Sequence, residues 1–370
     1  MAIPQQIPYN YHPPYEYFLI KNQKKSLVRK ESNNMGFLLL LSVIVMQIVA
    51  AVPIFISVFT KLFTSDIFSG NHFETTIDQF MNENLIDMYF AQGISSLIGF
   101  VITGLVFLKL SKRTLNNTLL FKKLPLKVIM LLTAAGFSLC LVADFVVYLI
   151  QQNLSFFHIE NNFELNLTGS TWLEHILFIV VVGIVPAIAE EFFFRGVLLT
   201  AFRKYGDCFA VFTSAFLFGI MHMNFVQIPF AFIIGLILAY ITLATNDLRS
   251  AILIHFLNNT FAVSMDILSE AISEKSYNMV NETITFIILL LGIIAFTVII
   301  IKKNEFFILS DSVKSQEKTA ADSRSVISGN VDAQTSLTLT EKLGCFFGNP
   351  GIIICIVIFA LYAVSMLSFF

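Results

Sequence analysis

Residues 173–202, LEHILFIVVVGIVPAIAEEFFFRGVLLTAF, decide how this chain folds. A helix of about 20 mainly apolar residues crosses the hydrocarbon core of a bilayer, and this stretch is longer than that. Similar stretches cover 36–60, 88–110, 127–150, 207–224, 228–245, 249–268, 283–301 and 350–370. The pattern predicts nine spans, or eight if 173–202 and 207–224 pack irregularly. Composition agrees: 56% of the 370 residues are hydrophobic, 40 are Phe and only 13% are charged. A soluble protein carries about a quarter charged residues. Mean hydropathy is +0.78, which excludes a disordered or fibrous chain. A net charge of -2 gives no electrostatic footprint for nucleic acid. Cys140, Cys208, Cys345 and Cys355 form no CxxC pair and read as small hydrophobes. The chain is expected to be an all-α, polytopic transmembrane helix bundle.

Basic residues set the expected orientation. Lys21, Lys24, Lys25, Arg29 and Lys30 precede the first span, and Lys109, Lys112, Arg113, Lys122, Lys123 and Lys127 follow the second. Arg203, Lys204, Arg249, Lys302 and Lys303 fall in loops of the same parity. The opposite loops carry Asp66, Glu74, Asp78, Glu83, Asp87, Glu160, Glu164, Glu270 and Glu274. The positive-inside rule then places the N-terminus in the cytoplasm and, with nine spans, the C-terminus outside. Residues 1–35 read as a flexible basic segment rather than a cleaved signal peptide, and 36–301 as the membrane core. Residues 302–349, polar and rich in Ser and Thr, read as a flexible linker to a last helix at 350–370. No internal repeat is apparent.

Polar groups inside the spans carry the chemistry. Each charge at mid-bilayer costs about 2.5–3.5 kcal/mol on insertion scales, yet 173–202 holds Glu190, Glu191 and Arg195. Glu191 and Arg195 are four apart, in the favourable acid-before-base order. Glu190 points about 100° round the helix and stays free for another partner. Pro186 removes a backbone donor and bends the helix. The bland alternative ends the span at Ala189 and leaves the charges at the interface, but FFFRGVLLTAF continues the apolar pattern. Two other spans bring His222, four residues after Phe218, and His255, four before Asn259. Buried separately, these groups would lack partners in lipid; gathered together they satisfy one another.

Glu and two His converging on a water suit hydrolysis. The carboxylate takes the water's proton, while His and Asn donate hydrogen bonds to the oxyanion. The same groups suit a zinc ion with an open position for water.

EEFFFR at 190–195, Phe218 to His222 and His255 to Asn259 fit EExxxR, FxxxH and HxxxN, in order and on separate hydrophobic segments. In these motifs the chain resembles the CAAX protease and bacteriocin-processing (CPBP, or Abi) family of intramembrane endopeptidases, over roughly 125–268. The resemblance implies an eight-helix core, leaving the C-terminal span as an addition. It implies that Glu190 activates water, His222 helps hold it, and His255 and Asn259 stabilise the oxyanion. Glu191 and Arg195 would organise the site, with Phe218 packed beside His222. The family has been described both as metalloendopeptidases and as metal-free glutamate proteases. Metal-free chemistry is the expectation here, with no HExxH pair present; zinc, if used, would take Glu190, His222 and His255.

The span ends set one conflict. Counted from the basic loops, Glu190 and His222 lie about 20 Å along their helices but His255 only about 9 Å. Tilt or a broken fourth span would close the gap.

Competing readings are a rhomboid-like serine protease using Ser138 in Gly136-Phe137-Ser138-Leu139, a proton- or ion-coupled transporter involving Asp144, and a catalytically silent scaffold or bacteriocin-immunity factor. Ser138 reads instead as a helix-packing residue, Asp144 as lying near the watery end of its span, and paired broken helices are absent. The expected partners are the bilayer and a membrane-associated peptide or protein substrate, in a bacterial plasma membrane. The chain's own end, SMLSFF, has no CaaX box.

Overall fold

The computed structural model describes residues 14–64, 85–121, 124–156, 159–161, 171–302, 336–365 and 367–369. Nearly all of these are helical. Asp66, Glu74, Asp78, Glu83, Glu164, Lys122, Lys123 and Lys303 of the charge argument, and the Ser/Thr-rich stretch 303–335, lie outside them.

Helix α1 runs over Pro14–Thr64 and α2 over 85–110, with one π-helical stretch at Leu97–Ile102. Helix α3 is Leu126–Phe156, and α4 covers Trp172–Arg203. Helices α5, Asp207–Met221, and α6, Gln227–Thr245, follow it. Helices α7, Arg249–Ala271, and α8, Glu274–Ile301, continue the bundle. Helix α9, Leu339–Phe347, and α10, Pro350–Ser365, close the chain. Two three-residue strands, Ile159–Asn161 and Leu367–Phe369, pair antiparallel.

Among the described residues seven helices are long and apolar enough to cross a membrane, and the α9–α10 pair, bent by 65°, makes an eighth. Together they define an integral membrane protein. The expected nine spans are corrected at α5, which has 15 residues and reaches about 22 Å against a core of about 30 Å. Its helix ends where Met223 takes a left-handed φ of 51°, and the Asn224 side chain accepts from Val226 N at 2.9 Å and Gln227 N at 3.2 Å. That turn starts α6, so α5 and α6 are joined by a short non-helical connection.

Helix α4 forms the centre. Phe193, Phe194, Val197, Leu198 and Leu199 are wholly buried, so its second half is enclosed by other helices, while Trp172, Ile176 and Ile188 are exposed. It is not uniform. α-Helical turns at Trp172–Phe178, Val185–Glu191 and Leu199–Arg203 are separated by π-helical stretches at Ile179–Ile184 and Phe192–Leu198.

One end of the bundle gathers the basic loops. Glu31 accepts from Arg113 at 2.6 Å and Lys204 at 2.7 Å, tying α1 to the ends of α2 and α4. In the turn after α4, burial pushes the Tyr205 phenol up to about 12, with the Glu31 carboxylate adding to the shift; the neutral hydroxyl donates to Leu27 O. Arg203 reaches Asn246 at 2.8 Å, and Leu248 N bonds Leu120 O at 2.8 Å.

Two expectations of flexibility are corrected here. Residues 14–35, expected to be loose, continue α1, because Glu31 is clamped as above and Lys21 and Lys25 pair with Glu341 at 3.0 and 3.2 Å. The stretch expected as linker up to 349 ends in helix α9, whose Thr338 and Glu341 form a capping box. Helix α10 packs closely on α1: a Cβ on Gly36 would come within 2.6 Å of the Gly351 backbone. Small residues permit that approach between spans.

Candidate active site

Pro186 prepares the site from within α4. In a regular helix the carbonyl of Val182 accepts from the N–H four residues on, which here is proline and has none. Asn259 of α7 supplies the donor instead, Nδ2 to Val182 O at 3.0 Å. The second π-helical stretch offers a carbonyl in the same way, Ser214 Oγ donating to Phe194 O at 2.9 Å. Irregular turns of this kind free backbone groups for neighbouring helices and often mark functional positions. Glu190 and Glu191 sit on the α-helical turn between them. Asn258 Nδ2 donates to Asn259 Oδ1 at 3.3 Å, holding that amide's orientation.

The two glutamates have different surroundings. Glu191 is wholly buried; its Oε1 accepts from Arg195 Nη1 at 2.6 Å and faces His255 Nδ1 at 2.9 Å. Arg195 is equally buried, donates to Gly235 O at 3.4 Å, and lies 4.4 Å from the centre of the Phe218 ring. Its charge is therefore met by a carboxylate in plane and an aromatic face above. Glu190 keeps 13% of its side-chain surface open, and its Oε2 stands 3.8 Å from His255 Nε2. One carboxylate is sealed by Arg195 and His255; the other keeps part of its surface open.

Phe218 joins the histidines. Its ring meets His222 at 5.0 Å, His255 at 5.8 Å and Phe194 at 5.0 Å, all edge-to-face. His222 caps the short helix α5, with its Nδ1 on Phe218 O at 2.9 Å. A carbonyl only accepts, so Nδ1 carries the hydrogen and Nε2 is left facing away from it. His222 makes no hydrogen bond to Glu190 and reaches the cluster through Phe218.

Of the residues expected in the site, Glu190, Glu191, Arg195, Phe218, His222 and His255 are linked by these contacts, while Asn259, one turn after His255 on α7, reaches α4 at Val182 O. The conflict in helix depth is closed, since His255 touches both glutamates. The wide turns of α4 and the α6–α7 turn, held to Leu120, accompany that closure. Residues not singled out from sequence include Ser214, Asn258 and Gly183, where a Cβ would come within 2.6 Å of Thr260 Oγ1. The i,i+3 and i,i+4 pattern gives no sign of them, because Ser214 and Gly183 act across helix pairs and Asn258 acts on its immediate neighbour. Ser138, the rhomboid-like candidate, is buried, donates to Ala135 O at 2.8 Å and faces Gly292 of α8. Asp144 lies exposed on α3 with no hydrogen bond into the cluster. Among the described residues no three His, Cys, Asp or Glu side chains are grouped to hold a metal ion. Of the alternative zinc set, Glu190 and His255 stand 3.8 Å apart, while His222 meets His255 through the Phe218 ring.

The fold and this cluster define a polytopic membrane protein with a carboxylate–histidine site inside its helix bundle. Residues 171–261 match the family model Rce1-like, described as type II CAAX prenyl endopeptidase Rce1-like, so this stretch is similar to that family. The match covers all three motifs and agrees with their resemblance to the CPBP family. Searches of curated proteins and of solved structures find no match.

Proposed function

We propose that this protein is an intramembrane endopeptidase that hydrolyses a peptide bond of a membrane-associated peptide or protein. The observation that carries the reading is the pair of adjacent glutamates: Glu191 is sealed by Arg195 and His255, while Glu190 is left open beside His255 Nε2. A general base must be reachable by water and held by its surroundings. In this reading Glu190 takes a proton from a water whose second hydrogen is held by His222 Nε2. The hydroxide adds to the scissile carbonyl, and the remaining N–H of Asn259 Nδ2 faces the oxyanion. The Rce1-like match supports a protease of this type. A bacterial plasma membrane, with the basic end in the cytoplasm, and a membrane-bound peptide precursor as substrate complete the proposal.

The test uses purified wild-type protein and Glu190→Gln in detergent with a membrane peptide extract, scored for new N-termini by mass spectrometry. New N-termini are expected with wild type alone. Their absence, together with a proton or solute flux that depends on Glu190 in proteoliposomes, would favour a transporter instead.

A further inference from the structure

Ser214, Phe218 and His222 are spaced by four along α5 and so share one side of it. Phe218 and His222 reach the cluster through their rings. Ser214, wholly buried, reaches it through the backbone of α4, its hydroxyl donating to Phe194 O at 2.9 Å. That choice of partner is unusual. A buried Ser or Thr in a helix commonly donates to the carbonyl four residues back, as Ser32, Ser42 and Thr213, all wholly buried, do here. Ser214 crosses to the neighbouring helix instead.

The carbonyl it meets belongs to the second π-helical stretch. Phe194 O also accepts from Leu199 N, five residues on, where a regular α-helix would use Leu198 N. Both lone pairs of that oxygen are thereby filled, one by the wide turn and one by α5. Arg195 stands in this turn, with Nη1 on Glu191 at 2.6 Å and its guanidinium 4.4 Å from the centre of the Phe218 ring. The width of the turn sets the angle at which Arg195 leaves α4, and both contacts depend on that angle.

We propose that Ser214 is a positioning residue: its hydrogen bond holds the wide turn at Phe194, and the turn sets Arg195 against Glu191 and Phe218, which fixes the adjoining Glu190. The proposal rests on the endopeptidase reading above and adds to it a residue that acts through the backbone of α4. Without the hydroxyl, one lone pair of Phe194 O is open to Leu198 N, and the turn can close to an α-helical one. Arg195 then swings away from one of its two partners.

The bond is read without any substrate. Full-length protein in detergent carries carbon-13 at the Phe carbonyls and nitrogen-15 at Arg, so that only Phe-Arg pairs give a carbonyl–nitrogen correlation. The sequence has two, Phe194-Arg195 and Phe202-Arg203, and Arg203→Lys removes the second. In Ser214→Ala the Phe194 carbonyl resonance is expected to move upfield, as a carbonyl does on losing a donor. An unmoved resonance would overturn the proposal. Ser214→Cys separates the bond from packing, because it fills the same space with a weak donor. With the peptide that the Glu190 comparison identifies, both variants are expected to lose about tenfold to a hundredfold in kcat, the scale of a displacement near 1 Å, with KM unchanged. A Cys variant as fast as wild type would assign Ser214 to packing, and a raised KM with kcat intact would assign it to binding; either overturns the proposal. Failure of the endopeptidase reading shows separately, as identical N-termini from wild type and Glu190→Gln.

Discussion

Glu191 and Arg195 place two charges where neither has any exposed surface, and desolvation costs several kcal/mol per ion in such a position. The 2.6 Å bond, the Phe218 face and His255 offset part of that cost, while Glu191 Oε2 and Arg195 Nε are buried without a hydrogen-bond partner. Removing one partner leaves the other uncompensated. Arg195→Met is therefore expected to lower stability by about 3–5 kcal/mol, and adding Glu191→Gln to recover part of it. Denaturation of the purified variants checks this; equal losses in the single and double variants would show that the pair is not the source. At this scale the sequence was informative where chemistry repeats along one helix, as at Glu191 and Arg195. The Glu191–His255 contact depends on how α4 meets α7 and has no signature in either segment.

Pro186 shows how a single residue shapes an element and, through it, a site. Pro186→Ala restores the N–H that a regular helix gives to Val182 O, in competition with Asn259. The expected result is cleavage reduced by about tenfold to a hundredfold, the scale of a displacement near 1 Å, with stability unchanged or raised. An unaltered rate would mean that the Val182–Asn259 bond does not position the site. A kink at Pro186 was legible from the sequence; the π-helical stretches on either side were not, because they answer to neighbouring side chains. The same limit applies to α5. An apolar run over 207–224 looks like a span, and only Met223 in the left-handed region with Asn224 capping α6 shows why it stops short. That early stop places His222 at the end of α5, beside Phe218.

Across the whole molecule, the two ends of the chain hold each other and the core. Asn349 Nδ2 donates to Arg29 O at 2.7 Å, Gly351 N to Asn33 Oδ1 at 3.1 Å and Cys355 Sγ to Gly36 O at 3.1 Å. Phe346, wholly buried, packs edge-to-face on Phe202, Phe209 and Phe216 of α4 and α5. Phe346→Ala should lower stability by about 3–5 kcal/mol and expose α9 to limited proteolysis; an unchanged digestion pattern would show that this end is dispensable. Polar composition concealed α9, since nine residues at the end of a Ser/Thr-rich stretch barely alter its average. Span positions and the three motifs were legible because lipid demands long apolar runs and makes each polar exception conspicuous. The proposed function rests on water activation by Glu190. The most direct test is paired membrane proteomics of cells expressing wild type or Glu190→Gln, a change that nearly preserves side-chain size. A precursor peptide that accumulates uncut only in the variant, and is cut by purified wild-type protein, is the predicted result. Identical peptide pools from the two would contradict it.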